Sequence, residues 1–504
     1  MKKIASNIIA NFFGKVYIAL LAIVMVPIYI RYLGIESYGL VGFYTTLLGS
    51  FAILDFGLST TLNREIAKAR ATSADPSQLR NLVFTLETVY WVMGVVICLV
   101  ILLLSGTIAN HWLKAEHISA VTIQRSIFLM GLVIAFQWPV GLYHGGLMGM
   151  EKQVLFNVIS IIMMTLRAVG VLLILIFVSS TIEAFFIWQV AINLLYALWM
   201  RYVVWKHLTV EKPKRKFSVA SLKLIWKFAA GLTSTGIVAF FLTQADKILL
   251  SKILPLQEFA YYTLAFTISS SLTNFTTPIS SAVFPKFSGL AASHQFDALK
   301  NIYHQASRLT ASVIIPVALT LVLFAPEILM VWLKNADTVA HTSNLVRLLV
   351  IGTMFNSFMM TPYLLTLAFG WTRFSFYQNL IAAIILVPLL FWWTHLYGAL
   401  GATFVWLSIN VFSTLISVPL IHKRILPGQT KKWYLQDNLI PLFFSGLISV
   451  GMYMLYRNCF GDFKFNYVSL VILFVFSCAV SFLQFPNLKN YVRNLFANKN
   501  VIRE

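Results

Sequence analysis

Long apolar segments recur along the whole chain and are separated by short polar stretches. The hydrocarbon core of a bilayer is about 30 Å thick, and a helix needs about 20 apolar residues to cross it. About fourteen segments meet this requirement, and they predict an all-α integral membrane protein. They lie near residues 7–29, 38–61, 81–104, 123–147, 154–178, 184–205, 225–245, 258–283, 307–324, 343–368, 375–393, 400–419, 438–457 and 467–485.

Composition and charge placement agree with this pattern. Of the 504 residues 59% are hydrophobic and only 11% are charged, whereas soluble domains carry about 25% charged residues. The net charge of +21 would suit nucleic-acid binding, but its placement favours a topological role. Alternate loops, together with both termini, hold 25 Lys and Arg residues, and the opposite side holds eight. Since basic loops stay in the cytoplasm, both termini are predicted to be cytoplasmic.

Two parts of the sequence are related by a single offset. A shift of 221 residues places the segment 252–262 on 31–41, with several similar residues, and the same shift places Gly370 on Gly149. One offset that holds at two distant places indicates two related halves. Internal repeats are typical of transporters whose site lies between the repeats.

The basic stretch 206–223 is the longest polar break near the middle of the chain, and it is predicted to be a cytoplasmic linker between the halves. The halves are then two pseudo-twofold six-helix bundles, residues 1–205 and 224–420. Residues 437–485 are predicted to form two additional transmembrane helices, and residues 486–504 are predicted to form a cytoplasmic tail. No outer loop is long enough for an extracytoplasmic catalytic domain.

Two basic residues lie deep inside apolar segments. Lys15 lies roughly 18 Å along its helix from Lys3, and Arg167 lies roughly 22 Å beyond Lys152, so both fall near mid-membrane. Intramembrane cations are energetically unfavourable and normally face a wet cavity or a charged partner. They favour an anion-binding cavity suited to phosphate or pyrophosphate.

Three further basic residues extend this candidate site. Arg347 lies nearer the outer surface, where a long side chain can reach the interface. Arg31 and Lys247 lie at outer helix ends, where an interfacial position is the simpler explanation. The alternative for the two deep cations is a structural pair with a carboxylate inside the membrane.

Three carboxylates are candidates for coupling transport to H⁺ or Na⁺. Asp55, in the phrase DFGLST, lies roughly 13 Å from the cytoplasmic edge of its span, and Glu87 lies roughly 10 Å from that edge. Asp246 precedes Lys247, and an outer ion pair is its simpler role. Asp55 and Glu87 could equally pair with Lys15 or Arg167.

Signals of enzymatic chemistry are missing from the sequence. It contains no Walker A loop, no HExxH and no GxSxG motif. The cysteines, Cys98, Cys459 and Cys478, show neither a disulfide framework nor metal-ligand spacing. We therefore expect a protein that is not an enzyme, without metal or cofactor, whose energy comes from an ion gradient or from the substrate gradient.

Several phrases carry a resemblance to a known family. The first half contains ANFFGKVYIALLAIVMVPIYIRYLG, YGLVGFY and ILDFGLSTTLNREIAKA, and the second half contains TQADKILLSKILPLQEFAYYTLAF. They resemble the polysaccharide-export branch of the multidrug/oligosaccharidyl-lipid/polysaccharide exporter (MOP) superfamily. Within that branch the chain looks most like bacterial O-antigen repeat-unit flippases, and Asp246 matches a recurring acidic position.

The resemblance implies two six-helix bundles around a cationic central cavity. It implies translocation of undecaprenyl-pyrophosphate-linked oligosaccharide from the inner to the outer leaflet of the bacterial inner membrane, with ion-coupled alternating access. A polysaccharide polymerase and a chain-length regulator would be the partner proteins.

Three other functions remain open from the sequence. A lipid II flippase would share the fold and the lipid diphosphate chemistry. A drug or cation antiporter of the same fold would favour an acidic cavity, whereas the spans hold more basic than acidic residues. A membrane glycan polymerase would require a large outer loop, which the sequence lacks.

Overall fold

The structure of the chain is a computed structural model. It describes residues 2–72, 76–208, 216–219, 240 and 243–460. These residues are almost entirely helical, and the β-type pairing among them is an isolated bridge between Lys114 and Pro255. The all-α fold predicted from the apolar segments is confirmed. The chain divides into two compact units, Met1–Ala260 and Tyr261–Glu504.

The first unit is built from long helices joined by short turns. They are α1 (Lys2–Leu33), α2 (Ile35–Phe51), α3 (Leu58–Thr72), α4 (Pro76–Thr107), α5 (Ala120–Gly149), α6 (Gln153–Phe177) and α7 (Ile182–His207). A 3₁₀ turn, Ala52–Asp55, lies between α2 and α3, and a π-helical turn, Ile108–Trp112, follows α4. Residues 243–253 are also helical.

The second unit has a similar series of helices. They are α8 (Leu256–Ser271), which contains the division between the units, α9 (Thr273–Ala292), α10 (Phe296–Leu323), α11 (Ala325–Leu333), α12 (Ala336–Ala368), α13 (Thr372–Tyr397), α14 (Ala399–Ile425) and α15 (Ile440–Phe460). Between α14 and α15 lie a single helical turn, Thr430–Lys432, and a π-helical segment, Trp433–Leu439.

The protein is a multi-pass membrane protein. In the described part of the chain, ten helical segments are long and apolar enough to cross a membrane. Their outward faces carry large apolar side chains, such as Leu103 and Phe177, which are 80% and 78% exposed. Helices suit this environment because every backbone polar group can be paired within the segment. The predicted spans 225–245 and 467–485 fall largely or wholly outside the described residues, so the total of fourteen stays a prediction.

Two segments predicted as continuous spans are interrupted. In the span 38–61 the helix stops at the 3₁₀ turn, and Phe56 and Gly57 then have positive φ angles of 48° and 69°. In the span 258–283, α8 ends at Ser271 and α9 starts two residues later. Hydropathy reports apolar length and not backbone continuity, so it could not predict these breaks. Non-helical backbone is tolerated in a membrane only where protein or water pairs its polar groups.

The breaks occur at equivalent places in the two units. α2 begins at Ile35 and α8 begins at Leu256, which are 221 residues apart, and each helix is followed by a break and a second helix. The following long helices also recur in the same order and at similar spacing. This order supports the predicted duplication, while the pseudo-twofold arrangement and the predicted domain bounds stay predictions.

Helix α5 lies in the middle of the first unit, where it packs against α3, α4 and α7. The close contact with α3 depends on small residues. A Cβ atom at Gly145 would collide with the Ser59 carbonyl group, and one at Gly149 would lie 2.6 Å from the Asn63 carbonyl oxygen. Small residues that let backbones approach are typical of helix packing in membranes. This packing places the break between α2 and α3 next to α4 and α5.

In the second unit, α10, α12 and α14 are the main packing helices. Helix α15 and the π-helical segment before it pack on α10. The predicted helix 438–457 is thus present, and it follows the repeated set of helices. Its polar start lies against the beginning of α10, where both elements contribute buried polar side chains.

Candidate functional site

Arg167 lies in the interior of the first unit among neutral polar groups. It is on α6, and its guanidinium group donates a hydrogen bond to the side-chain carbonyl of Asn193 on α7. Its charge also acts electrostatically on the hydroxyl groups of Tyr29, Tyr44 and Tyr196. The Arg167 Nε atom is buried and has no hydrogen-bond partner among the described residues.

The groups around Arg167 are oriented by bonds of their own. The Asn193 amide nitrogen donates to the Gln189 backbone carbonyl at 2.7 Å, which directs the amide oxygen toward the guanidinium group. Tyr44 donates to the Gln137 side-chain oxygen at 2.9 Å. The result is a polar region formed by α2, α5, α6 and α7 inside an apolar bundle.

Within the described part of the chain, no carboxylate forms an ion pair with Arg167. The structural alternative to an anion site is a pair with Asp55 or Glu87, but the carboxylates of those two residues bind other groups. A cation in an apolar bundle normally has a counterion or faces a wet cavity. Among the described residues, the Arg167 guanidinium group therefore has neutral partners and no counterion.

Asp55 lies at the break between α2 and α3. Its carboxylate accepts a hydrogen bond from the Ser59 hydroxyl at 2.8 Å and another from the Tyr90 hydroxyl on α4. Gly57 and Phe56 supply the left-handed backbone that ends the first helix and begins the second. Asp55 is half-buried, and among the described residues its partners are hydroxyl groups and not cations.

Glu87, in contrast, binds a cation. Its carboxylate is 3% exposed and accepts hydrogen bonds from the Tyr143 hydroxyl at 2.6 Å, the Arg201 Nε at 2.7 Å and the Trp205 indole at 3.1 Å. The donors come from α5 and α7, so Glu87 ties α4 to two neighbouring helices. Arg201 lies near the end of the predicted span 184–205, and its pair with Glu87 could not be predicted because 114 residues separate the partners.

Two of the predicted cations contribute less to the described geometry. Lys15 lies within α1, but its side chain falls outside the described part of the structure. Arg31, in the last turn of the same helix, is exposed, and its guanidinium carbon lies 5.8 Å from the centre of the Tyr32 ring. That contact agrees with an interfacial position for Arg31.

Asp246 and Lys247 form a buried pair in the first unit. They are 7% and 8% exposed, and the Lys247 Nζ lies 3.4 Å from the Asp246 carboxylate. The ammonium group also donates to the Thr243 carbonyl at 2.8 Å. A pair of opposite charges agrees with the simpler role considered for these two residues.

Arg347 lies on α12 in the second unit and is half-buried. Its Nε donates to the Val322 carbonyl at 3.1 Å, and its Nη1 donates to the Asn344 side-chain oxygen at 3.0 Å. No carboxylate among the described residues forms an ion pair with it. The guanidinium group is therefore positioned by two neutral acceptors, as Arg167 is positioned by one.

The structure also shows a buried carboxylate contact that sequence reasoning missed. Glu36, near the start of α2, accepts hydrogen bonds from the backbone N–H groups of Glu116 at 2.5 Å and His117 at 3.0 Å. Glu36 is 6% exposed. Its carboxylate therefore holds the loop between α4 and α5 in place. The position of Glu36 near a helix start in the sequence does not reveal partners about 80 residues away.

A second missed feature is a polar cluster in the second unit, formed where α10, α14 and the turn after α14 meet. Asp437 binds His304 and Arg308 of α10, and His304 also contacts Gln429. The partners are more than 120 residues apart, so spacing gave no signal. Across the described ranges, no group of three or more His, Cys, Asp or Glu side chains is arranged to hold a metal ion.

These observations define the class of protein. Two units repeat one order of broken and continuous helices, and charged groups lie inside apolar bundles, as in membrane transporters built from internal repeats. Residues 4–291, more than half of the chain, match the family described as "Polysaccharide biosynthesis protein", and the chain belongs to that family. Residues 233–392 also match the MatE family.

Curated relatives agree with this assignment. The chain is 24% identical over 422 residues to a protein of Shigella flexneri described as a candidate O-antigen transporter, with 84% of this chain and 98% of that protein covered. It is 22% identical over 375 residues to the lipopolysaccharide biosynthesis protein WzxC of Escherichia coli K12, with 71% of each covered.

Solved structures show the same fold. The lipid II flippase MurJ in an inward closed conformation matches with a TM-score of 0.71 at 15% identity, covering 97% of this chain and 100% of that one. An inward-facing multidrug resistance MATE transporter of the MOP superfamily matches with a TM-score of 0.65 at 16% identity, covering 82% and 95%. The resemblance to the MOP superfamily seen in the sequence is confirmed.

Proposed function

We propose that the protein is a flippase for lipid-linked oligosaccharide. It moves undecaprenyl-pyrophosphate-linked repeat units of O-antigen, or of a similar polysaccharide, from the inner to the outer leaflet of the bacterial inner membrane. The family and the descriptions of the two curated relatives support this class of substrate. The step is a translocation, so no covalent bond is made or broken.

The observation that carries the proposal is that no described carboxylate pairs with the charge of Arg167. A pyrophosphate group has to leave water to cross the apolar interior, and a fixed guanidinium group can replace part of its hydration. Arg167 has a buried Nε without a described partner and an amide that positions its terminal nitrogens. A guanidinium group suits phosphate oxygens because it presents several donors in one plane.

Arg347, Arg31, Lys247 and Lys15 extend the proposal as further substrate contacts. Arg347 has the environment most like that of Arg167, because its described hydrogen bonds go to neutral oxygens. Lys247 already faces a carboxylate, and Arg31 is exposed at a helix end. We therefore rank Arg167 and Arg347 above Arg31 and Lys247.

Translocation is proposed to be coupled to H⁺ or Na⁺ through an acidic side chain. Of the three candidates, Glu87 and Asp246 each face a cation, whereas the partners described for Asp55 are two hydroxyl groups. A hydroxyl group can donate to an ionised carboxylate or accept from a protonated carboxyl group, so both charge states of Asp55 can be hydrogen-bonded. This environment favours Asp55, at the helix break, as the coupling residue.

Two alternatives share the fold, and their substrates separate them. A lipid II flippase would use the same lipid diphosphate chemistry with a different glycan. A drug or cation antiporter would need a carboxylate free to meet a cationic substrate, whereas Arg167 would repel one. A glycan polymerase is a different class, and the similarity to transporters disfavours it.

The substrate is tested by deleting the gene in its native cells and identifying the lipid-linked sugar that accumulates. Undecaprenyl-pyrophosphate-linked repeat units should accumulate on the inner leaflet while surface polysaccharide falls. Accumulation of lipid II would favour the first alternative, and normal glycans with drug sensitivity would favour the second. Interaction with a polysaccharide polymerase and a chain-length regulator is proposed for the same cells and is checked by cross-linking.

Complementation of the deletion strain then tests the site. Arg167→Gln should fail to restore surface polysaccharide, Arg167→Lys should restore part of it, and Arg125→Gln should restore it fully. Arg125 is a matched control because it is an arginine on a neighbouring helix whose side chain is 71% exposed and paired with Glu183. Full restoration by Arg167→Gln, at equal amounts of protein in the membrane, would remove the proposed anion site.

A further inference from the structure

The polar cluster of the second unit contains two ionisable side chains that are buried about as deeply as Glu87. Asp437 is 0% exposed and His304 is 4% exposed, although both side chains can carry a charge. Ionisable groups are rarely buried to this extent unless they are paired. The proposed substrate contacts and the ion-coupling carboxylates do not include this cluster, so its chemistry needs a separate explanation.

The contacts of Asp437 and His304 are specific. One Asp437 oxygen accepts a hydrogen bond from the Arg308 Nε at 2.7 Å, and the other faces the His304 Nδ1. On the opposite side of the ring, the His304 Nε2 lies 2.9 Å from the side-chain oxygen of Gln429. Both ring nitrogens of His304 therefore face oxygen atoms.

A neutral imidazole ring carries one N–H group, and an imidazolium ring carries two. An ionised carboxylate and an amide oxygen are both acceptors, so with the Gln429 oxygen toward the ring, as in the structure, the two contacts are both hydrogen bonds only when His304 is doubly protonated. With a neutral ring, the Asp437–Arg308 pair has no net charge. Adding a proton to His304 gives the buried group of His304, Asp437 and Arg308 a net positive charge. Burial disfavours this charge, and the two acceptor oxygens beside the ring favour it.

A second histidine in the cluster provides a comparison. His422 on α14 is fully buried, and its Nε2 lies 2.7 Å from the Tyr303 hydroxyl while its Nδ1 lies 3.2 Å from the Thr430 hydroxyl. Hydroxyl groups donate or accept as required, so the neutral ring satisfies both contacts. Of these two histidines, the geometry selects His304 to take an additional proton.

The remaining titratable groups at the cluster come from three elements. They are Tyr303 and Arg308 on α10, His422 on α14, and Tyr434 and Asp437 in the segment before α15. Asp437 is the carboxylate among these described groups, and it faces a permanent cation as well as His304. Protonation of His304 therefore adds a charge that this one carboxylate has to share between two cations.

We propose that His304 is a proton-binding site that loads and releases one proton during the transport cycle. The proton binds at a ring nitrogen to form the imidazolium ion, held between Asp437 and Gln429, and leaves from that nitrogen to water. The inference rests on the proposed transport function and adds a proton site outside the coupling carboxylates. Since Gln429 and Asp437 precede α15, proton loss weakens the attachment of that helix to α10.

The direct test is ¹⁵N NMR of the full chain in nanodiscs with ring-labelled histidine, from pH 5.5 to 8.5 and without substrate. The His304 signals are assigned by their loss in His304→Gln. We expect them to change from imidazolium to neutral ring within this range. A ring that stays neutral throughout, or one that stays doubly protonated throughout, would overturn the proposal.

A second variant keeps the test informative if His304→Gln does not fold. Gln429→Leu removes one acceptor and leaves the Asp437 contact intact. Because that acceptor favours the imidazolium ion, the transition of His304 should move to lower pH. An unchanged transition in a folded Gln429→Leu protein would contradict the assigned geometry.

The role in transport is tested by the pH profile of flipping in reconstituted vesicles. In His304→Gln, the dependence of the flipping rate on pH should no longer follow the pH range in which wild-type His304 changes its protonation. In His341→Gln, the pH dependence of flipping should remain that of the wild type. His341 is a matched control, because it also lies beside an aspartate, Asp337, but its side chain is 57% exposed. A wild-type profile in His304→Gln would refute the coupling. Absence of flipping by the wild-type protein at every pH would instead refute the proposed function, and the NMR result would still decide the proton site.

Discussion

Glu87 and Asp55 show how two carboxylates on neighbouring segments acquire different chemistry from their partners. Glu87 receives hydrogen bonds from an arginine, a tyrosine and a tryptophan, and it is almost fully buried. Asp55 receives hydrogen bonds from two hydroxyl groups beside a helix break. The first arrangement stabilises a fixed charge, and the second accommodates a charge that changes.

The fixed-charge role of Glu87 predicts strong coupling to Arg201. Removing either charge leaves the other without its partner, so Glu87→Gln and Arg201→Gln should each lower the free energy of unfolding by about 1–3 kcal/mol. The loss is modest because the Arg201 side chain is 44% exposed, so solvent partly screens its charge. The double variant should lose clearly less than the sum of the two single losses, as measured by unfolding in detergent. Additive losses would show that the pair contributes no direct interaction.

The role of Asp55 predicts a different phenotype. Asp55→Asn should keep the protein in the membrane but reduce the dependence of flipping on an imposed H⁺ or Na⁺ gradient. Tyr90→Phe, which removes one donor and keeps the carboxylate, should shift that dependence without abolishing it. Flux in reconstituted vesicles measures both variants. An unchanged gradient response in Asp55→Asn would exclude Asp55 as the coupling residue.

At the scale of elements, the interrupted helices are held in place by close packing. α3 follows the first break and lies against α5, where the backbones approach at Gly145 and Gly149. The approach brings the Asp55 segment next to Tyr90 on α4, which itself packs on α5. The position of the candidate coupling residue thus depends on glycines that lie far from it in sequence.

This packing can be tested with two glycines on the same helix. Gly145→Ala should lower the free energy of unfolding by about 1–3 kcal/mol, because the new methyl group forces α3 and α5 apart. Gly141→Ala is the control, since a Cβ atom at Gly141 meets open space and alanine is the better helix former. Thermal unfolding in detergent provides the comparison. Equal stability of the two variants would contradict the close approach of α3 and α5.

At the scale of the whole molecule, the sequence predicted those features that the membrane itself imposes. Apolar length predicted the long helices, and the shift of 221 residues predicted the recurrence of α2 as α8. Depth along α6 predicted Arg167 to be an intramembrane cation, and its described surroundings are neutral. The helical fold is predictable from apolar length because lipid leaves the backbone few alternatives.

The sequence could not predict contacts between distant residues. Arg201 looked like an ordinary basic residue at a helix end until the fold placed it on Glu87. His304 and Asp437 are 133 residues apart. In the sequence, His304 lies in a predicted cytoplasmic loop and Asp437 lies at the start of a predicted helix. Such pairs depend on which helices become neighbours, and hydropathy carries no information about that choice.

Orientation is a further property of the whole molecule. Because the basic loops alternate, a cysteine placed in the linker 206–223 should be labelled by an impermeant thiol reagent only after the inner membrane is opened. A cysteine at His117, in the turn between α4 and α5, should be labelled in intact spheroplasts. The native cysteines are first replaced by alanine or serine. The reverse labelling pattern would show that both termini lie outside the cytoplasm, which would contradict the prediction.

The proposed flippase function depends most directly on Arg167 acting on the substrate diphosphate. The decisive measurement is the flipping rate of undecaprenyl-pyrophosphate-linked oligosaccharide in proteoliposomes that contain wild-type protein, Arg167→Gln or Arg125→Gln. Loss of charge-assisted hydrogen bonds to the diphosphate should slow flipping by about tenfold or more in Arg167→Gln and leave Arg125→Gln near the wild-type rate. Equal rates for wild type and Arg167→Gln would contradict the anion site from which the proposed function is derived.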